Sequence, residues 1–136
     1  MENKGFLTLE EARDQAEHYH EYQEGVYRYE IRGKGCTLVE DGEVLVEGVD
    51  DLHWFAKGVY RYKTKGKGWT LIEDGEVLVQ GVYGVHWFAK GVYDYRMEGE
   101  GWTLIEDGKV LIEGVDWVHW YEKGVYEYRI SVNKNK

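Results

Sequence analysis

Proline is absent from the 136 residues, and cysteine occurs once, as Cys36. Without proline, glycine must make the tight reversals, and 18 glycines stand ready for that role. A lone cysteine excludes an internal disulfide and any cysteine-based zinc cluster. No apolar run approaches the ~18 residues a transmembrane helix needs. The opening Met1-Glu2-Asn3-Lys4-Gly5-Phe6-Leu7 lacks the basic and then long apolar stretches of a signal peptide. These absences make the cytoplasm of a bacterial host the expected location, and no membrane contact is expected.

What is present points to a folded β protein. Aromatics make up 15% and charged residues 32%, too aromatic for disorder and too charged for a membrane span. The net charge is −9 and unevenly spread. Residues 1–24 carry −5, residues 25–57 −3, 58–90 +2, 91–123 −5 and 124–136 +2. Such a surface disfavours direct contact with nucleic acid and suits a basic partner. The plainer alternative is that the charge keeps an aromatic-rich chain soluble.

Internal repetition dominates the sequence. Gly-Val-Tyr-x-Tyr starts at Gly25, Gly58, Gly91 and Gly124, each 33 residues after the last. The copies span 25–57, 58–90 and 91–123, and 124–136 holds the opening strand of a fourth copy and a tail. Copies one and two agree at 24 of 33 positions, and two and three at 21, without insertions. His20-Glu-Tyr-Gln-Glu-Gly-Val-Tyr27 resembles His53-Trp-Phe-Ala-Lys-Gly-Val-Tyr60, so part of a copy also precedes the first. The expected fold is mainly β: tandem antiparallel meander repeats in a single domain over 1–136, as an open rolled sheet or a closed pseudo-threefold body.

The hairpins can be read locally. Asp41-Gly42, Asp74-Gly75 and Asp107-Gly108 are strong two-residue turn signals. They place Ile72 opposite Val77, Val39 opposite Val44 and Ile105 opposite Val110, and regular continuation sets Leu71 against Leu78 and Trp69 against Gln80. Lys57-Gly58 predicts a second hairpin across each copy boundary, with Phe55 opposite Tyr60, His53 opposite Tyr62 and Trp54 opposite Arg61. Alternation gives each opening strand one tyrosine face and one charged face. The next two strands read as apolar on both faces. In the 1–24 segment, Thr8 and Glu11 form a capping-box pattern, and Leu9, Ala12, Ala16 and Tyr19 share a stripe. A helix over about 9–22 follows, covering an open edge or end of the β structure.

The run Lys65-Gly-Lys-Gly-Trp-Thr-Leu-Ile-Glu-Asp-Gly-Glu-Val-Leu-Val79, followed by His86-Trp-Phe-Ala-Lys-Gly-Val-Tyr93, resembles the bacterial WG (or KWG) repeat. The likeness covers about residues 33–123. Thr70 and Thr103 depart from the family's glycine, and Cys36 departs from its first tryptophan. The resemblance implies all-β repeats with a binding role and supplies no catalytic residues.

Candidate chemistry is sparse. His20, His53, His86 and His119 recur with the repeat, and a ring of them would suit a metal or an anion. Each falls opposite a strand tyrosine, so histidines hydrogen-bonded in a core are the simpler reading. No repeat shows a unique polar cluster, and Cys36 occupies a packing position. No catalytic residue, metal or cofactor is expected. The carboxylates Glu40, Asp41, Glu73, Asp74, Glu106 and Asp107 crowd hairpin tips. Trp54, Trp87 and Trp120 lie on the face opposite the histidines, and Asp50, Asp51, Tyr83, Asp116 and Trp117 are where the copies differ most. These fourteen residues are the candidate partner contacts. The expected function is a non-enzymatic, acidic binding protein for a protein with a basic surface. One version is a phage or mobile-element inhibitor of a nucleic-acid-handling defence enzyme, of the anti-CRISPR kind. The alternative is a carbohydrate- or small-ligand-binding aromatic β-repeat. Oligomeric state is left open.

Overall fold

A computed structural model describes residues 5–131. The chain is mainly β, with one short helix, and divides into two compact units between Gly66 and Lys67. None of the described helical residues forms a helix long and apolar enough to cross a membrane.

The first unit begins with α1 (Leu9–Gln15), followed by β1 (His18–Gln23), β2 (Val26–Ile31), β3 (Gly35–Glu40), β4 (Glu43–Val49), β5 (Asp51–Ala56) and β6 (Val59–Thr64). The capping box forms as the sequence predicts. Thr8 N–H donates to Glu11 Oε1 at 2.9 Å, and Glu11 N–H donates to Thr8 Oγ1 at 3.1 Å. The helix ends seven residues before the expected boundary. Ala16 is extended, and Glu17 N–H bonds Glu30 O at 2.8 Å, which leads the chain into β1. Residues 18–23 alternate as well as they wind, and pairing with β2 outweighs weak helical preference. The partial copy before Gly25 is therefore a strand, the counterpart of β5.

Strands β1–β4 form a four-stranded antiparallel sheet in chain order, and β5 pairs with β6. The sheet is open, with β1 and β4 at its edges. The helix lies on the sheet's tyrosine face, not along an edge. Ala12 is fully buried with Tyr27, Tyr29 and Val39, and Phe6, Leu7 and Leu9 pack around them.

The second unit contains β7 (Gly68–Glu73), β8 (Glu76–Val82), β9 (Gly84–Ala89), β10 (Val92–Arg96), β11 (Trp102–Glu106), β12 (Lys109–Val115), β13 (Trp117–Glu122) and β14 (Val125–Arg129). Strands β9–β12 form an open antiparallel sheet of consecutive strands, and β7–β8 and β13–β14 are hairpins. The folded module thus joins the last strand of one copy to the first three of the next.

The Asp-Gly turns are as expected. Asp41, Asp74 and Asp107 have φ near 50°, and the glycines after them near 81°, so both central residues are left-handed. Ile72 faces Val77, Val39 faces Val44 and Ile105 faces Val110. Farther from the turn the register departs from simple alternation. Leu71 pairs with Val79 because Leu78 is an extra, bulged residue, and a second extra residue between Val79 and Val82 brings Trp69 opposite Val82. Leu45 and Leu111 bulge likewise. The boundary hairpins also shift: Ala56 pairs with Val59, Trp54 with Tyr60 and His53 with Arg61, leaving Phe55 as the bulge. The third strands are not buried on both faces, since Val77 and Val110 are about half exposed.

One glycine in each copy is sterically required. A Cβ on Gly35 would meet Gly48 C and Val49 O at 2.8 Å, and one on Gly101 would meet Gly114 C at 2.6 Å. The backbone of the third strand occupies that space.

Candidate functional site

Two networks repeat through the copies and use many of the candidate residues internally. The first centres on the glutamate before each Asp-Gly turn. Glu40 Oε2 accepts from Trp54 Nε1 at 2.9 Å and from Gly58 N–H at 2.9 Å. Glu73 does the same with Trp87 at 2.8 Å and Gly91 at 2.9 Å. Glu106 accepts from Trp120 at 3.1 Å and Gly124 at 3.0 Å. Each carboxylate fastens one copy to the turn that starts the next, and charge strengthens both bonds. Trp54, Trp87 and Trp120 are half-buried donors in this clamp. The tip aspartates are also engaged: Asp41 with Lys57 at 2.5 Å, Asp74 with Lys90 at 3.7 Å and Asp107 with Lys123 at 2.5 Å.

The second network explains the bulged leucines. A bulge takes its carbonyl out of the ladder, and a tyrosine from the next copy uses it. Tyr60 Oη donates to Leu45 O at 3.3 Å, Tyr93 Oη to Leu78 O at 3.2 Å and Tyr126 Oη to Leu111 O at 3.4 Å. Tyr27 uses a different carbonyl among the described residues. Its Oη donates instead to Leu7 O at 2.7 Å, and Leu7 N–H donates to Tyr29 Oη at 3.0 Å. The segment leading into α1 thus supplies the carbonyl that a bulged leucine supplies elsewhere.

The histidines do not bond the opposite tyrosines. They pair across the boundary hairpin with the third residue of the opening strand: His20 with Arg28, His53 with Arg61, His86 with Asp94 and His119 with Glu127. In the first unit, His18, Tyr19, His20, Tyr22, Arg28 and His53 line a groove of about 280 Å³. Burial, then Arg61 and Arg28, pushes the His53 imidazole below its ordinary value. Among the described residues, no group of three or more His, Cys, Asp or Glu is arranged to hold a metal ion.

In the second unit the change from arginine to Asp94 creates a polar cluster, where the sequence was expected to show none. Asp94 is 2% exposed, and its Oδ1 lies 2.9 Å from His86 Nδ1. Burial raises the Asp94 carboxyl above the usual carboxylate value, and the His86 hydrogen bond opposes that shift. The half-exposed His86 ring stacks on Trp102 at 4.6 Å. The Arg96 guanidinium lies over Tyr83 at 4.7 Å and over Trp102 at 5.5 Å. Gly84 leaves room for this, since a Cβ there would meet Trp102 at 3.0 Å. A histidine oriented by a buried carboxylate resembles a general base. Among the described residues, however, no hydroxyl or thiol is hydrogen-bonded to it.

The remaining candidates vary in exposure. Asp50 N–H bonds Lys63 O at 2.8 Å, and Asp51 bonds Leu52 N–H at 2.9 Å and lies 3.8 Å from Arg28. Asp116 contacts Ser131 Oγ. Tyr83 and Trp117 are 54% and 41% exposed. Cys36 is buried beside Arg28, and burial pushes its thiol up.

Sequence reasoning missed the exposed apolar residues of the β13–β14 hairpin, which lie on both of its faces. Tyr121, Val125, Tyr128 and Ile130 are all exposed, together with Trp117. The first-copy counterparts of Val125 and Tyr128 are buried: Val26 is 0% and Tyr29 4% exposed, whereas Val125 is 47% and Tyr128 46%. No protein-family model matches the chain, and no match was found among curated proteins or solved structures.

Proposed function

We propose that the chain is a non-enzymatic binding protein for a protein partner, and that the exposed β13–β14 hairpin carries the contact. The observation behind this is the exposure of Val125 and Tyr128, at positions whose first-copy counterparts are buried core. Exposed aromatic and aliphatic side chains on one hairpin suit a protein interface. The net charge of −9 directs the reading to a neutral or basic partner surface, not to nucleic acid. The likeness to WG repeats implies a binding role too. Inhibition of a nucleic-acid-handling enzyme is the concrete version to assay. Wild-type chain and a Tyr121→Ser/Tyr128→Ser variant would be used to capture partners from host lysate. A protein held by wild type and lost with the variant supports the reading. Equal retention by both contradicts it.

The His86–Asp94–Trp102 cluster favours a second reading, a small-ligand site. Half-exposed imidazole and indole rings beside Arg96 present a stacking surface with donors. Saturable quenching of tryptophan fluorescence by a glycan or nucleotide, lost in Trp102→Leu, would support it.

A further inference from the structure

Strand β14 has a neighbour on one side only among the described residues, where it pairs with β13. The equivalent strands β2 and β10 have a second neighbour, and the repeat shows what that neighbour is. Strand β3 runs antiparallel to β2 with Glu40 opposite Val26, Val39 opposite Tyr27, Leu38 opposite Arg28 and Thr37 opposite Tyr29. Strand β11 meets β10 in the same register, with Glu106 opposite Val92, Ile105 opposite Tyr93, Leu104 opposite Asp94 and Thr103 opposite Tyr95. The residue after the glutamate closes the joint. Asp41 N–H donates to Gly25 O and Asp107 N–H to Gly91 O, each at 2.8 Å. The aspartate side chain then lies over the glycine: a Cβ built on Gly25 or Gly91 would meet that Oδ1 at 2.7 Å. A Cβ built on Gly124 meets nothing within 4 Å.

We infer that the outer edge of β14 is a strand-acceptor site for an extended segment of the partner with the pattern Thr-Leu-Ile/Val-Glu-Asp-Gly. It would be added antiparallel, with glutamate opposite Val125 and threonine opposite Tyr128. The inference rests on the proposed binding hairpin and names the partner chemistry that its edge accepts. Three features argue for this occupant. The β14 sequence Val-Tyr-x-Tyr is that of β2 and β10. The joint it would form continues one the chain already makes at β2–β3 and β10–β11. Main-chain bonds from an added strand supply affinity, and alternate side-chain positions supply selectivity. Here those positions are Val125, buried in copies one to three, and Tyr126, whose partners elsewhere are Val39 and Ile105.

The test uses the full chain and a labelled peptide reproducing this protein's residues 101–115, which carry Thr103-Leu104-Ile105-Glu106-Asp107-Gly108. Fluorescence anisotropy would read binding, and hydrogen exchange would locate it. Expected are a saturable 1:1 complex, new amide protection confined to 124–129, and at least tenfold weaker binding for Tyr128→Asp or for a peptide with the same residues permuted. Tyr128→Phe should bind like wild type, which separates loss of the face from loss of fold. No binding, protection elsewhere in the chain, or protection of 124–129 without peptide through self-association would each overturn the inference. Should the peptide fail while Tyr121→Ser/Tyr128→Ser still releases a captured protein, strand addition falls and the binding hairpin stands. Should that variant retain the protein, the binding hairpin itself falls.

Discussion

The strand Val-Tyr-x-Tyr at the start of copy one and the same strand at the start of the fourth copy have opposite fates. In β2, Val26, Tyr27 and Tyr29 are buried, with β3 alongside and the α1 segment over the tyrosines. In β14, Val125 and Tyr128 stand nearly half exposed. Local sequence is almost constant between them, so the difference comes from what lies next to the strand. A β unit of this kind cannot bury its apolar face alone and takes its stability from its neighbours. Where α1 closes the first strand, the capping box and the Leu7 bonds do the closing.

Substitutions can break the comparison. The largest expected contrast is at the second tyrosine. Tyr29→Ala should destabilise the chain by about 3–5 kcal/mol through lost burial, while Tyr128→Ala should stay within about 0.5 kcal/mol. Urea denaturation of the two variants measures both, and equal losses would refute the account of β2 and β14. Next comes the copy-to-copy clamp. Removing the Glu73 carboxylate in Glu73→Ala takes one acceptor from the half-buried Trp87 Nε1 and Gly91 N–H, at about 1 kcal/mol for each bond. Glu106→Ala should cost less, since Gly124 is exposed. Smaller still is the hydroxyl of Tyr27. Tyr27→Phe should lose about 1 kcal/mol with the Leu7 bond, and Tyr126→Phe, with a 3.4 Å bond, should change the midpoint little.

The smallest effect sharpens the difference between copies. Burial raises the Asp94 carboxyl above its ordinary value of 3.8, so folding favours its protonated form. That contribution is present below the ordinary carboxylate range and fades as pH rises through the raised value. Asp94→Asn should therefore gain in melting temperature relative to wild type as pH increases from about 4 towards 7. A constant difference across that range would show that the His86 bond balances the burial.

Much of this was legible in the chain, for identifiable reasons. The 33-residue period, the Asp-Gly turns and the Thr8–Glu11 box are local signals, and local rules decide them. The bulges at Leu78 and Phe55 were hidden, because an extra residue leaves the run of apolar side chains looking regular. Only the partner strand shows the slip. Residues 18–23 read equally as helix or strand until β2 is there to pair with. The glutamate clamp did have a signal. Glu40, Glu73 and Glu106 are identical in all copies, as are Trp54, Trp87 and Trp120, whereas Glu43, Glu76 and Lys109 change sign nearby. Invariance among copies marked the structural carboxylates, and crowding at a turn did not mark a contact surface. The Asp94 site was visible as a charge reversal, Arg28 and Arg61 giving way to Asp94, but the erroneous hairpin register put tyrosine opposite His86. Exposure of β14 had no sequence signal, since its residues are those of a buried strand.

Residue-resolved hydrogen exchange on the isolated chain tests the central claim most directly. The account predicts slow exchange for the amides of 26–31 that bond β1 or β3, and fast exchange for the outward-facing amides of 125–129. Equal protection of both strands in the chain alone would contradict it.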